Sequence, residues 1–154
     1  MDSDYFSFLN ITNKLNARKR SYLHYHSFIN FFNNYESIKS VNNKKKVAEL
    51  LNGYIQFISD IPEDQIDRNM GMTLVNPYLF AIGKVYKREI SFKEILPPKF
   101  LFAFTFIIDL FLILFGLEIY RNIPIPLISI ATILYYYFYL NSDIKNGKVF
   151  GIFW

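Results

Sequence analysis

The chain has 154 residues, a formal net charge of +4 and an apolar fraction of 52%, enough for one modest domain with an added hairpin but not for two independent globular domains. Because it has no cysteine, disulfides, zinc-thiolate sites, iron-sulfur clusters and a cysteine nucleophile are excluded. It also contains no glycine-rich phosphate loop, serine nucleophile elbow or zinc-protease helix. We therefore expect a protein that is not an enzyme and uses no cofactor, metal ion or small-molecule substrate.

Two amphipathic helices are predicted in the first sixty residues. From Phe8 to Phe32 apolar residues recur at three- and four-residue steps, which predicts one long helix that breaks near Arg18. A second helix fits residues 43–58, with one apolar side formed by Val47, Leu50, Leu51, Tyr54, Ile55 and Ile58. Such stripes usually face the core of a small bundle, and a helix lying on a membrane surface is the alternative.

Lysines at the start of the second helix raise the question of a nucleic-acid partner. The run Lys44, Lys45 and Lys46 lacks the flanking basic and glycine-rich pattern of a binding arm. We expect these lysines to be solvated, with a bound anion as the alternative, and we expect no nucleic acid to bind.

Proline and capping signals predict shorter helices after residue 59. One begins near Asp60 and Pro62, and another begins at Asn76 and Pro77. Ser91 and Glu94 have the spacing of a capping box, and prolines follow at 97 and 98, so residues 91–96 are predicted as a single helical turn at the membrane surface. Residues 1–96 would then form a cytoplasmic helical domain.

Two apolar stretches dominate the last third of the chain. They read FLFAFTFIIDLFLILFGLEIY and IPLISIATILYYYFYL, with Arg121 and Asn122 between them. This pattern is typical of a transmembrane helical hairpin. The predicted fold is therefore an all-α membrane protein, with a hairpin over residues 97–140 that spans the bilayer at about 99–120 and 123–140, followed by a cytoplasmic aromatic tail over 141–154.

Positive charge predicts how this hairpin would be oriented. Basic residues precede the first predicted span and follow the second, so they would lie on the same side of the membrane; they are Lys84, Lys87, Arg88, Lys93, Lys99, Lys145 and Lys148. By the positive-inside rule both termini would lie in the cytoplasm, with Arg88, Lys93 and Lys99 at the interface. Residues 1–30 do not have the pattern of a cleavable signal peptide. The abundance of Asn, Lys, Ile, Tyr and Phe suggests an AT-rich genome and favours a bacterial inner membrane.

Asp109 lies near the middle of the first apolar stretch. A carboxylate placed there in a bilayer costs about 2.5–3.5 kcal/mol and usually faces a partner or a water-filled cavity. A turn near Asn122 would bring Asp109 level with Tyr135 or Tyr136, with Thr132 one turn away. Three uses remain open: a hydrogen bond donated to Tyr136, pairing with another membrane chain, and proton or ion conduction.

The function that these features favour is protein–protein interaction. We expect a small integral membrane protein that acts as an accessory or assembly subunit, or as an immunity protein against a membrane-acting toxin. Its partners would be the lipid bilayer and another membrane protein or a second copy, met through Asp109, Thr132 and Tyr136. The alternative is an oligomeric subunit that conducts ions or protons, or permeabilises the membrane, through Asp109. A third possibility is an enzyme built around His24, His26 and Glu63.

Overall fold

The computed structural model describes residues 2–95, 98–115 and 126–152. In these ranges it is mostly helical, which confirms the prediction of helical architecture. The α-helices are α1 (Asp2–Thr12), α2 (Ala17–Tyr22), α3 (Tyr25–Asn33), α4 (Val41–Ser59), α5 (Arg68–Thr73), α6 (Ala81–Ile90), α7 (Pro98–Phe115) and α8 (Leu127–Lys145). The 3-10 turns Tyr35–Ser37 and Glu63–Gln65, the π-helix Val75–Phe80 and the short strands β1 (Lys93–Ile95) and β2 (Val149–Gly151) complete the described elements.

The chain divides into two compact units. The N-terminal unit consists of Met1–Ile95 together with Gly147–Trp154, and the hairpin unit is Leu96–Asn146. The N-terminal unit therefore contains α1 to α6 and both strands, whereas the hairpin unit contains α7 and α8.

The helix predicted over residues 43–58 is confirmed as α4. Ser40 begins it, because its side chain accepts a hydrogen bond from the backbone N–H of Asn43 at 3.4 Å. The predicted apolar side faces the core, where Val47, Leu51, Tyr54, Ile55 and Ile58 are buried.

The long helix predicted from Phe8 to Phe32 does break near Arg18, as expected, and it breaks a second time, so that this region forms three helices. Asn16 starts α2 by accepting the N–H of Lys19 at 2.9 Å, which gives the chain a new helix start just before Arg18. The second break falls at His24, whose φ of 53° is left-handed and interrupts the helical path. The apolar stripe is thus retained over α1 and α3, but on separate helices.

The helical turn predicted over residues 91–96 is wrong. Ser91 has a φ of 58° and ends α6, and the chain then forms β1. This strand pairs in parallel with β2, in the register Lys93 with Val149, Glu94 with Phe150 and Ile95 with Gly151. Pairing with a distant segment of the chain overrides the local capping signal.

Aromatic side chains fill the core of the N-terminal unit. Phe28 stacks on Tyr54 with ring centres 3.6 Å apart, and Phe31 contacts the rings of Tyr86 and Phe150. The hydroxyl of Tyr54 donates to the carbonyl oxygen of Leu23 at 2.7 Å. Burial raises the pKa of Tyr54 well above its ordinary value, so this hydroxyl stays neutral and continues to donate.

The predicted membrane hairpin is not supported. Over the part of the chain that the structure describes, no helix combines the length and the apolar character that a bilayer crossing needs. α7 has 18 residues and carries Asp109 in its apolar part, and α8 begins only at Leu127 and ends in NSDIK, a segment that is polar except for Ile144. The prediction of an integral protein of a bacterial inner membrane, with both termini cytoplasmic and the bilayer as a partner, is therefore wrong.

Candidate functional site

Asp109 is fully buried on α7, where both of its carboxylate oxygens accept hydrogen bonds from the start of α8. Oδ1 accepts the backbone N–H of Ile128 at 3.0 Å. Oδ2 accepts the backbone N–H of Ser129 at 2.7 Å and the hydroxyl of Ser129 at 2.7 Å. These contacts tie the middle of one helix to the beginning of the next.

The sequence around residue 126 explains why α8 uses a carboxylate from another helix. Pro126 occupies the N-cap position and provides no side-chain hydrogen bond. The first N–H groups of a helix lack intrahelical acceptors, and its dipole favours a negative charge at this end. Asp109 meets both requirements from α7. Because a backbone N–H is always a donor, Asp109 acts as an acceptor in these contacts, whereas the sequence analysis expected it to donate a hydrogen bond to Tyr136.

The two helices of the hairpin unit pair antiparallel, but not in the predicted register. Asp109 lies level with Ile128 and Ser129 instead of Tyr135 and Tyr136, a displacement of about seven residues along α8, or about two helical turns. Further from this contact, the ring of Phe102 meets that of Tyr136 edge-on at 6.2 Å. The predicted group of Asp109, Thr132 and Tyr136 is therefore spread along the helix pair.

Thr132 is one turn beyond the Asp109 contacts. Its hydroxyl donates to the carbonyl oxygen of Ile128 at 2.8 Å, so it satisfies the backbone of its own helix. It also lines a groove of about 510 Å³, which is formed by Leu127, Ile128, Ala131, Thr132 and Tyr135. Tyr136 is half-buried, and this burial raises the pKa of its hydroxyl.

The outer surface of the hairpin unit is apolar. Large side chains from 41% to 73% exposed occur on both helices, at Phe104, Phe106, Ile107, Leu110, Phe111, Leu114, Phe115, Leu127, Ile130, Ile133, Leu134, Tyr135, Phe138 and Ile144. We call this set the apolar hairpin surface. Among residues 102–115 the single charged side chain is Asp109, which is turned inward. The apolar hairpin surface on α7 therefore carries no charge.

The predicted interfacial residues belong to different parts of the chain. Arg88 is exposed on α6, and Lys93 lies in β1, where its N–H donates to the carbonyl oxygen of Lys148 at 3.0 Å. Lys99 is in α7, but its side chain lies outside the described residues, as do Arg121 and Asn122 at the predicted turn.

The structure does not bring together the residues of the enzyme hypothesis. His24 is buried, with Nε2 2.9 Å from the carbonyl oxygen of Gly71. His26 contacts the ring of Tyr25 edge-on at 5.6 Å, whereas Glu63 is exposed and pairs with Lys19 at 3.1 Å. Within residues 2–95, 98–115 and 126–152, no group of three His, Cys, Asp or Glu side chains could hold a metal ion.

Sequence reasoning identified Asp109 but missed Ser129 and the amide of Ile128. The signal for them was present: prolines at 124 and 126 precede a helix that has no Ser, Thr, Asp or Asn at its N-cap. A helix start without a local cap requires an acceptor from elsewhere, and Asp109 is the carboxylate that the neighbouring helix provides.

Comparison with known proteins gave no match to a protein family, to a curated protein or to a solved structure.

Proposed function

We propose that this protein acts by binding another protein through the apolar hairpin surface. The observation that carries the proposal is the exposure of large apolar side chains along both α7 and α8. Contiguous exposed apolar patches mark interaction sites, since leaving such side chains in water is unfavourable.

Asp109 supports this proposal through what it removes from the surface. A carboxylate at mid-helix would place a charge inside the interface, where desolvation makes an unpaired charge costly. Here the carboxylate is turned toward the N–H groups of Ile128 and Ser129. It ties the two helices together and leaves no exposed charge among residues 102–115 of α7.

The surface also defines the chemistry of the partner. α7 has 18 residues and α8 has 19, so each presents a face of about 27–29 Å at 1.5 Å per residue. Phenylalanine and tyrosine, which are enriched in protein interfaces, occur among its exposed residues. The matching partner presents an uncharged apolar helical surface of similar length.

Two kinds of protein work in this way: an accessory or assembly subunit, and an immunity protein that blocks a toxin by covering its apolar segments. Identification of the partner separates them. The contacts of Asp109 do not favour conduction of ions or protons through this residue, because both of its oxygens accept hydrogen bonds from α8.

Site-specific photocrosslinking in cells tests the proposal. A photoreactive phenylalanine analogue is placed at Ile133 on the apolar hairpin surface and, as a control, at the exposed Lys45 of the N-terminal unit. We expect one discrete adduct from Ile133 and none from Lys45. Phe106→Ser should reduce the adduct about tenfold, as expected for the loss of one buried aromatic side chain. The matched change Phe57→Ser, at an exposed phenylalanine of the N-terminal unit, should leave it unchanged.

Two results would contradict the proposal. Absence of an adduct from Ile133, or an equal adduct from Lys45, would remove the apolar hairpin surface as a binding site. An adduct with the mass of two 18.3 kDa chains would show that the partner is a second copy of this chain and not a different protein.

A further inference from the structure

A basic cleft lies in the N-terminal unit, among α4, the π-helix and α6. It has a volume of about 320 Å³ and is bordered by Asn43 and Lys46 from α4, Asn76 from the π-helix, and Lys84 and Arg88 from α6, with Val85 buried beside them. Three cationic side chains from two helices therefore border one cavity, and no carboxylate is among its lining residues.

These cations are not neutralised by the rest of the described chain. Other lysines of this unit form ion pairs: Lys19 with Glu63, and Lys87 with Glu94 at 3.9 Å. By contrast, Lys46, Lys84 and Arg88 form no salt bridge or hydrogen bond with any residue that the structure describes. Lys84 and Arg88 are four residues apart on α6, so they share a face, and this like-charge pair destabilises the helix unless an anion lies between them.

One carboxylate close by, that of Glu89, accepts hydrogen bonds from the start of α4. Its Oε1 accepts the side-chain amide of Asn43 at 2.6 Å, and its Oε2 accepts the backbone N–H of Ser40 at 3.4 Å. Glu89 thereby joins α6 to the start of α4 and holds in place the two helices that carry the cations. Asn43 is positioned by the same contact.

We propose that this cleft binds a phosphate monoester carried by a small molecule. Such a group carries a charge of about −1.5 to −2 at neutral pH and offers three acceptor oxygens. Arginine binds these oxygens in a bidentate manner, and lysines supply point charges. The volume falls at the lower end of the range of about 300–1,000 Å³ that is usual for small-ligand sites, which leaves room for the phosphate and a small organic group.

Calorimetric titration of the full chain at constant ionic strength tests this site. The probes are inorganic phosphate, glucose 6-phosphate, glucose and citrate. We expect saturable binding of glucose 6-phosphate and inorganic phosphate, with no binding of glucose. Citrate separates phosphate recognition from general attraction of a multiply charged anion, because its carboxylates lack the tetrahedral arrangement of the phosphate oxygens.

Matched substitutions locate the binding. Each of Lys46→Gln, Lys84→Gln and Arg88→Gln should weaken binding of glucose 6-phosphate about tenfold, the effect of losing one charge-assisted hydrogen bond. The controls Lys45→Gln and Lys87→Gln alter neighbouring lysines that do not line the cleft and carry the same change in net charge, so they should reduce the affinity less than about twofold. Arg88→Lys should restore part of the loss, since it keeps the charge but not the bidentate geometry.

Several results would overturn the proposal. These are the absence of saturable binding by both phosphate compounds, equal weakening by the control and lining substitutions, and equal affinity for citrate. Because all three cations are exposed, the variants should fold, and unchanged circular dichroism melting curves would verify this. The outcome is independent of the partner proposed for the apolar hairpin surface.

Discussion

Phenylalanine fills the core of the N-terminal unit, where Phe28 and Phe31 are fully buried, whereas Phe104 and Phe115 of the hairpin unit are 63% and 73% exposed. The difference follows from the number of elements around each side chain. Side chains from α1, α4, α6 and β2 pack against the first pair, but two paired helices can cover only one face of each other. The same residue type therefore fills the core in one unit and remains exposed in the other.

Buried polar groups differ between the units in a similar way. In the N-terminal unit the hydroxyls of Tyr54 and Tyr86 donate to the carbonyl oxygens of Leu23 and Phe31. Burial raises the pKa of both tyrosines, so these groups remain neutral. In the hairpin unit the fully buried carboxyl group of Asp109 accepts hydrogen bonds from the N–H groups of α8. Neutral hydroxyls therefore bond within the core of one unit, whereas a carboxyl group at a helix start joins α7 to α8 in the other.

The largest expected effect is on the free energy of unfolding, and it tests the difference between the buried and the exposed phenylalanines directly. Phe31→Ala removes a side chain that contacts Tyr86, Phe92 and Phe150, and should lower the free energy of unfolding by about 3–5 kcal/mol. Phe104→Ala, the matched change on the apolar hairpin surface, should alter it by less than about 0.5 kcal/mol. Urea unfolding followed by circular dichroism measures both values. Equal losses would show that Phe104 supports the fold as Phe31 does.

The next effect concerns Asp109. Asp109→Ala leaves the N–H groups of Ile128 and Ser129 and the hydroxyl of Ser129 without their acceptor, which should destabilise the pairing of α7 and α8 by about 2–4 kcal/mol. Asp109→Asn should have a smaller effect, because asparagine also caps helices but carries no charge.

Amide hydrogen exchange, measured residue by residue, detects the loss of this cap at the start of α8. Exchange of the Ile128 and Ser129 amides should accelerate in Asp109→Ala, while amides of α4 in the N-terminal unit serve as an internal control. Unchanged protection at the start of α8 would show that Asp109 does not cap it.

Two glycines of the N-terminal unit, Gly83 and Gly53, test how closely β2 packs against α6. A Cβ at Gly83 would lie 2.2 Å from Cε2 of Phe150, so Gly83→Ala displaces a buried ring and should cost about 1–3 kcal/mol. A Cβ at Gly53 would have Tyr78 Cε1 as its nearest atom, at 3.5 Å, so Gly53→Ala should stabilise α4 by about 0.4–1 kcal/mol. Melting temperatures that move in opposite directions would bear out the close approach of β2 to α6. A shift of the same sign for both would contradict it.

The parts of the fold that the sequence predicted are those controlled locally. The apolar period and cap of α4 lie within one segment, and both Val47 and Tyr54 are buried as expected. β1 could not be predicted in this way, because its hydrogen bonds go to β2, more than fifty residues later, and the local signal of Ser91 and Glu94 favoured a helix. Strand pairing between distant segments leaves little trace in either segment alone.

The sequence predicted one residue of the candidate site, Asp109, but not the residues that contact it. An isolated carboxylate in an apolar stretch is visible in any sequence, so Asp109 was found. Its partners depend on where α8 begins, and a start at Leu127 rather than Ile123 changes which residues lie level with Asp109. The exposed apolar residues were likewise visible, but their assignment to a bilayer was wrong, since periodicity alone does not show what covers an apolar helix.

The smallest expected effect is a pH dependence of stability caused by the buried residue His24 of the N-terminal unit. Burial lowers the pKa of His24 below its ordinary value of 6.5, and the hydrogen bond with the Gly71 carbonyl oxygen opposes this only in part. The folded state therefore binds fewer protons at this residue than the unfolded state, so stability should fall as the pH decreases below about 6.5 toward the lower folded-state pKa. His24→Asn tests this, because asparagine tolerates a left-handed φ and has no group that titrates in this range. Urea unfolding between about pH 7.5 and 5 should show a reduced pH slope in this variant, and an unchanged slope would assign the dependence to other groups.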